Sequence, residues 1–533
     1  MGRAQHGSRV QDLAPYPPEV VERYRAAGVW CDRSLWDLFA ERCRRHAGRP
    51  ALTSGEVTLS YADLSRRSEV VAAGLAAAGV GRLDPVVLQL PNVPELVLSY
   101  LALQRLGAVP IMALPAHRER EIGHFVELSG ARTYLCGDAD LGARVRARHP
   151  AVETLIALDE LRGLGNGLRP PPLPEIDPLG PAVFLLSGGT TGLPKLIPRT
   201  HNDYWYNSIA SGDVNDIGAG DTLLEVLPLG HNFPLASPGL QAFLQRGARV
   251  VLSQTTEADA NLALVERHRV THLELVPALL IRWLDDPSLP AHDLSSIRVV
   301  NTGGHRLQPE VKRRCEELLP SCTVQEVLGM AEGLLCMGRL DDPPEVRYET
   351  AGRPVSDLDE IRVVDEEDRD VGPGEVGELL ARGPYTIRGY YAAPEHNATA
   401  FTPDGYYRTG DLVRLERAGN VVVAGRRKDL INRGGEKISA EEVENLMLGH
   451  PAVLDAACVA VPDPVLGERM CACVVTRPGA RLTLPELTAF LLRRGIAKFK
   501  LPERLELLQE FPTTQVGKVS KPRLVEIVTG RDA

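Results

Sequence analysis

Residues 184–195 read FLLSGGTTGLPK, an apolar run that passes into hydroxyls and glycines and ends in a lysine. Glycines let backbone N–H groups approach an anion, hydroxyls add donors, and a lysine adds a compact charge. Ser187, Gly188, Gly189, Thr190, Thr191, Gly192 and Lys195 can therefore wrap a polyphosphate. The spacing is not the G-x-x-x-x-G-K-[ST] of P-loop NTPases. Two other patterns carry less. Residues 163–174, GLGNGLRPPPLP, lie among prolines rather than between strand and helix, which suits a surface connector. His268 and His272 form an H-x-x-x-H without the glutamate that follows the first histidine of H-E-x-x-H, and read as a helix end leading into a strand. Of nine cysteines only Cys471 and Cys473 lie close together, so neither a disulfide framework nor a zinc knuckle is indicated.

The elements that must hold the polyphosphate loop alternate. Helical periodicity marks residues 34–46, with Leu35, Leu38, Phe39 and Cys43 on one face, and residues 61–78. Short apolar runs follow at 85–90, 109–113, 133–136, 154–157, 182–186, 249–252, 272–276 and 297–300, separated by helical stretches. Strands spaced by helices imply mainly parallel sheets with helices on both faces. After about residue 355 the texture becomes short strands and turns, and a further change near Lys428 precedes a helix at 440–448. The 533 residues exceed one ordinary domain, and 44% hydrophobic with 24% charged residues places the chain among folded globular proteins. A net charge of −10 excludes a global positive field for nucleic acid or acidic membrane. No run of about 18 apolar residues and no export signal is visible, and His6 stands where a myristoylation signal wants Ser or Thr, so the expectation is a cytoplasmic protein with reduced thiols.

Five strings occur in an order that resembles the adenylate-forming (ANL) superfamily, which includes acyl-CoA synthetases, luciferases and nonribosomal-peptide adenylation domains: the 184–195 loop, GMAE at 329–332, YRTGD at 407–411, GRRKDLINRGGEK at 425–437 and PTTQVGK at 512–518. The resemblance spans nearly the whole chain. It implies an α/β fold: a large N-terminal adenylation core of mainly parallel, helix-flanked sheets with a β-rich subdomain over residues 1–427, and a small mobile α+β lid over 428–533. It also implies the chemistry. A carboxylate attacks the α-phosphorus of ATP, giving acyl-AMP and pyrophosphate. By resemblance, Glu332 holds Mg²⁺, Asp411 accepts bonds from the ribose hydroxyls, and Arg426 contacts ribose and phosphate. Gly303, Gly304, Leu328, Gly329 and Met330 belong to the ATP site, Leu328 standing where the family commonly offers an aromatic ring against adenine. Lys428 takes the hinge position, Arg433, Gly434 and Gly435 the wall of the thiol tunnel, and Lys518 the place of the lysine that steadies the adenylation transition state.

Residues 228–239, PLGHNFPLASPG, separate subfamilies, and resemble the stand-alone aryl-acid AMP ligases that load 2,3-dihydroxybenzoate or salicylate in siderophore assembly, as do HNDYWYN at 201–207, RLDDP at 339–343 and RGPYTIRGYY at 382–391. Where amino-acid adenylation domains place an aspartate against the substrate ammonium, this chain offers His231, Asn232 and Phe233. Asn232 suits an ortho hydroxyl or amine. Ser237 matches a position facing a 3-hydroxyl and favours a polar 3-substituent, whereas Leu335 matches the residue of salicylate enzymes. His305, after Gly303 and Gly304, adds a ring nitrogen and points beyond the usual two acids, toward one such as 3-hydroxyanthranilate. The resemblance makes His231 a gate between thiol tunnel and acid, grouped with Lys518 among residues acting in the reaction. Only fifteen residues follow Lys518, without a phosphopantetheine site, so the expected acceptor is a separate carrier protein or coenzyme A. An aryl- or acyl-CoA ligase and a catalytically silent nucleotide-binding module are the alternatives.

Overall fold

The computed structural model describes residues 10, 13–187, 193–304, 306–433, 436–513 and 519–530. Two large sheets form the body. In the first, Thr154–Ala157, Thr133–Cys136, Pro85–Gln89, Val109–Met112 and Pro181–Leu186 run parallel, and Leu196–Thr200 closes one edge antiparallel. In the second, the central strands Thr323–Met330, Val299–Gly303, His272–Leu275, Thr222–Glu225, Arg249–Leu252 and Pro50–Ser54 are parallel, with antiparallel strands at both edges. The α/β expectation is met, and each apolar run named from sequence forms a strand within a few residues of its expected bounds.

The helix Pro94–Leu106 shows why these sheets pack. Residues 96–106 are all buried, because the helix lies in a core that takes Val86 and Leu88 from the first sheet and Leu52, Leu223 and Val250 from the second. A helix apolar around its whole circumference is a buried one. It stops at Gly107, whose φ of 64° is the left-handed cap that glycine takes without strain. Tyr61–Ala77 begins with a capping box: the Ser60 side chain accepts from the Asp63 amide and the Asp63 carboxylate accepts from the Ser60 amide. Residues 163–174 carry no helix or strand, as expected of a connector, yet Gly165 packs onto that helix so closely that a Cβ would sit 1.9 Å from the Val70 carbonyl oxygen.

The change of texture after residue 355 is a four-stranded antiparallel sheet, Glu360–Val364, Gly377–Arg382, Tyr407–Leu415 and Val421–Arg426. From Leu430 onward the strands form a separate five-stranded sheet with the helices Ala440–Leu448, Leu484–Arg493 and Lys521–Thr529. Ser439 Oγ donates to the Ala424 carbonyl, joining this sheet to the end of the preceding one. Among the described residues no helix is long and apolar enough to cross a membrane.

Candidate active site

Parallel strands leave their carboxyl ends at one edge, where loops can converge on a ligand. Here that edge holds a cavity of about 620 Å³, partly open to solvent. One wall is the segment after Thr222–Glu225: Leu227, Pro228, His231, and the short helix Asn232–Ala236 with Ser237 at its end. Its helix starts at His231, whose Nδ1 accepts from the Phe233 amide. The facing wall comes from strand ends: Val276, Gly303, Gly304, Val327, Gly329 and, across the strand pair, Leu335. Space is tight at two of these positions. A Cβ on Gly303 would stand 3.0 Å from the Val327 carbonyl oxygen, and one on Gly329 2.6 Å from Leu335 Cδ2.

The polar groups of this cavity are held from behind. Asn232 Oδ1 accepts from the Tyr204 hydroxyl at 3.0 Å, and Asn232 Nδ2 donates to Ser237 Oγ at 3.0 Å. Asn207 Nδ2 donates to the same Ser237 oxygen at 3.1 Å and to the Ala236 carbonyl at 2.7 Å. A hydroxyl has two acceptor sites and one proton, so with both sites taken Ser237 can offer a ligand only its O–H. Asn232 likewise presents its second N–H. Both can thus donate toward the cavity, and Asn232 Oδ1, with one of its two lone pairs taken by Tyr204, can also accept.

Tyr204 and Asn207 lie on the helix His201–Val214, beside the buried pair Arg199 and Asp203, whose atoms meet at 2.9 Å. Arg199 also donates to Asn207 Oδ1 at 3.4 Å and to the carbonyls of Ala331 and Tyr385 at 3.1 Å each. Burial lifts the Asp203 carboxyl above its usual range against the opposing pull of Arg199. Asp203, Tyr204 and Asn207 stood inside HNDYWYN, quoted above only for its resemblance, and Arg199 lies two residues before it. The available signal was an Arg199–Asp203 spacing of four residues at a strand-to-helix junction.

The phosphate side adjoins. Ser187 and Lys195 close the base of the glycine loop: the Ser187 amide donates to the Lys195 carbonyl at 3.0 Å and the Lys195 amide to Ser187 Oγ at 2.9 Å. Lys195 Nζ lies 5.6 Å from the Tyr390 ring centre. Glu332 is buried, not a surface acid, and accepts from the Tyr390 hydroxyl at 2.7 Å, which lies 3.0 Å from that of Tyr407. Burial raises the Glu332 carboxyl, while the Tyr390 bond and the charges of Arg426 and Lys195 pull it down. Asp411 and Arg426 are directly opposite on neighbouring strands, their side chains 2.8 Å apart. Met330 lines the cavity.

Not every expected residue converges. Leu328, expected against adenine rather than the acid, packs half-buried against the cluster of Leu334, Cys336 and Val363 beneath the four-stranded sheet. Arg433 is engaged in an ion pair with Glu503. Lys428 lies in the short turn Arg427–Asp429. Gly188, Gly189, Thr190, Thr191, Gly192, His305, Gly434, Gly435 and Lys518 lie outside the described residues. His268 and His272 stand at a helix end and a strand start, and burial holds the His272 ring down at about 4, a neutral core residue. Among the described residues no group of three or more metal-ligating side chains occurs, so no all-protein metal cage is present there. One buried carboxylate beside a lysine suits Mg²⁺, which keeps much of its water and binds mainly through substrate phosphates.

The sequence matches the family of AMP-binding enzymes over residues 39–391 and the AMP-binding enzyme C-terminal domain over residues 442–518. It is 46% identical to the 2,3-dihydroxybenzoate-AMP ligase of Bacillus subtilis (strain 168), with 98% of each chain covered. It is also 46% identical to a salicylyl-CoA synthase / salicylate adenylyltransferase of a Streptomyces species, again over 98% of each. A salicyl-AMP ligase / salicyl-S-ArCP synthetase of Mycobacterium tuberculosis shares 43% over 97% of this chain and 95% of its own. Among solved structures, the apo form of Mycobacterium smegmatis MbtA superposes with a TM-score of 0.74 at 42% identity, covering 96% of this chain and 98% of that one.

Proposed function

This chain belongs to the family of AMP-binding enzymes, and we propose that it is an aryl-acid AMP ligase, which uses ATP to convert a hydroxy- or amino-substituted aromatic acid to aryl-AMP and passes the acyl group to a thiol. The observation that carries this is the composition of the acid cavity. Its described lining has aliphatic and aromatic walls, no carboxylate, and donors from Asn232 and Ser237. Neutral donors suit a phenolic or anilinic ring substituent, and a cavity without an anion has nothing to pair with an amino acid's ammonium.

In this reading the loop of residues 187–195 and Lys195 hold the ATP phosphates, Asp411 accepts from the ribose, and Arg426, now paired to Asp411, turns part of its fork to the nucleotide. Glu332 would hold Mg²⁺, which supplies charge neutralisation at the phosphates. Asn232 and Ser237 orient the ring so that its carboxylate faces the α-phosphorus. Lys518 brings a cation to the oxygens of that centre, where fixed charge in a dry site lowers the barrier. Residues 428–533 act as the lid, turning at Lys428, with Arg433, Gly434 and Gly435 beside the incoming thiol arm and His231 as the gate.

The acceptor we propose is a separate carrier protein, supported by the mycobacterial relative named for an S-ArCP product. A coenzyme A acceptor is the second reading, favoured by the Streptomyces relative named a CoA synthase. The test is aryl-acid-dependent exchange of labelled pyrophosphate into ATP with benzoate, salicylate, 2,3-dihydroxybenzoate, 3-hydroxyanthranilate and 3-hydroxypicolinate. Exchange with none of them would overturn the proposal. Thioester formation on a carrier protein against coenzyme A then separates the two acceptors.

A further inference from the structure

Two carboxyl groups under the acid cavity have no part in the chemistry above. Glu225 ends one strand of the second sheet, and Glu274 lies on the adjacent parallel strand, where the pairing of Leu223 with His272 and Leu224 with Leu273 carries on to bring the two glutamates side by side. Both are fully buried. Two residues further along each chain, Leu227 and Val276 line the cavity. Glu225 Oε1 accepts from the Leu227 amide at 3.1 Å, and Glu274 Oε1 accepts from the Gly239 amide at 2.9 Å. These two amides bracket residues 227–239, the segment that carries Asn232 and Ser237. Gly239 closes it tightly: a Cβ there would stand 2.3 Å from the Pro234 carbonyl oxygen. The Oε2 atoms of both glutamates have no hydrogen-bond partner among the described residues. Two bare anions side by side in an apolar interior repel and are unsolvated, and a proton retained between them relieves both costs.

We propose that Glu225 and Glu274 are positioning residues, a proton-retaining carboxyl pair that clamps both ends of residues 227–239 and so sets the wall that binds the aromatic acid. Burial pushes Glu274 up to about 8 and Glu225 well above the carboxylate range, Glu274 being the charge that acts on Glu225. Among the described residues no other charged group stands out as acting on either. His272, two residues back on the Glu274 strand, is neutral, Asn301 faces Glu274 from the next strand, and the helix Gly239–Arg246 brings its first amide. While the pair keeps its proton it carries a single charge, and an aryl carboxylate entering above it meets one anion rather than two. Loss of the proton repels that carboxylate and drives the clamp's two halves apart.

This inference rests on the acid reading of the cavity, and its test separates the two. Glu274→Gln and Glu225→Gln each keep an acceptor and replace the titrating proton with a permanent N–H. The KM for the acid and for ATP in pyrophosphate exchange, and hydrogen exchange at the Leu227 and Gly239 amides corrected for intrinsic rate, are measured from about pH 7 to about 9.5. In the parent protein the acid KM should rise above about pH 8, approaching about tenfold per pH unit as one proton is lost. The ATP KM should not share that rise, and protection of both amides should fall over the same range. Each glutamine variant should abolish these changes, and either one alone decides if the other fails to fold. A rise that persists in the variants, or protection in the parent that holds throughout, overturns the clamp. If no acid in the panel supports exchange the acid reading falls, and amide protection by itself decides the clamp.

Discussion

Tyr204→Phe tests how the cavity reads an ortho substituent, because it deletes one oxygen atom that no substrate touches. The hydroxyl is fully buried and donates to Asn232 Oδ1 at 3.0 Å. The ring stays, so the Arg199 guanidinium, 4.8 Å from the ring centre, keeps its contact. Without the hydroxyl the buried Asn232 oxygen has lost its donor, a cost of about 1–3 kcal/mol. The amide recovers part of that by turning over, which takes its second N–H away from the ring. A neutral hydrogen bond of about 0.5–1.5 kcal/mol is then missing from the bound acid, roughly 2- to 13-fold in kcat/KM. The assay is pyrophosphate exchange with salicylate and anthranilate against benzoate, which has nothing in the ortho position. The two substituted acids should fall by that factor while benzoate changes less than about twofold. An equal fall for benzoate, or none for the substituted acids, refutes the assignment of Asn232 to the ortho group.

Ser237→Ala removes the oxygen that receives both Asn232 and Asn207, so every acid should lose turnover, and 3-hydroxylated acids should lose more than salicylate by about 1–3 kcal/mol; equal losses in kcat/KM would remove Ser237 from specificity. Gly329→Ala puts a methyl 2.6 Å from Leu335 Cδ2 and should raise KM for disubstituted rings more than for benzoate, as steady-state kinetics would show. Asp359, buried under Tyr385, is raised by burial to about 7; because the native state holds this proton more tightly than the unfolded chain, its contribution is full below about pH 4 and is lost as pH rises through about 7. Asp359→Asn should therefore raise Tm relative to the parent more at about pH 8 than at about pH 5, and an equal shift at both would exclude the titration. Lys518→Ala should cost about 10²-fold or more in adenylation while sparing transfer from supplied aryl-AMP; equal damage to both half-reactions would contradict a lid with two working faces.

The alternation of apolar runs and helices was enough to name the strands, since buried parallel strands are short and continuously apolar. Ordered motifs likewise placed Lys195, Glu332, Asp411 and Arg426 close in space, because each is fixed by its immediate neighbours in the chain. What the sequence withheld depends on spatial order. The strands Thr222–Glu225 and His272–Leu275 are adjacent, with Arg249–Leu252 on the far side of the first, so LLEVLP and HLELVP read as two unrelated apolar strands, each with one odd acid. The packing of Leu328 is the same kind of fact: it rests against a cluster that the four-stranded sheet completes from residues between Val363 and Val421, far along the chain. Tyr204, Asn207 and Asp203 are polar residues on a helix, and by composition they belong on its wet side. They face inward because Arg199, itself fully buried, collects them.

That guanidinium links two walls of the site, which in the proposed reading hold the two reactants. At one end it touches Asn207, the partner of Ser237, which sits against the ring; at the other it grips the carbonyl of Ala331, the residue before Glu332. In the proposed reading one rigid planar group thus joins the wall that receives the ring to the segment that carries Glu332. Redesign of the ring-binding wall for bulkier acids can change Leu335 without touching that link, whereas Arg199→Lys, with no fork to span both ends, should decouple the two halves even with every ligand-touching side chain intact.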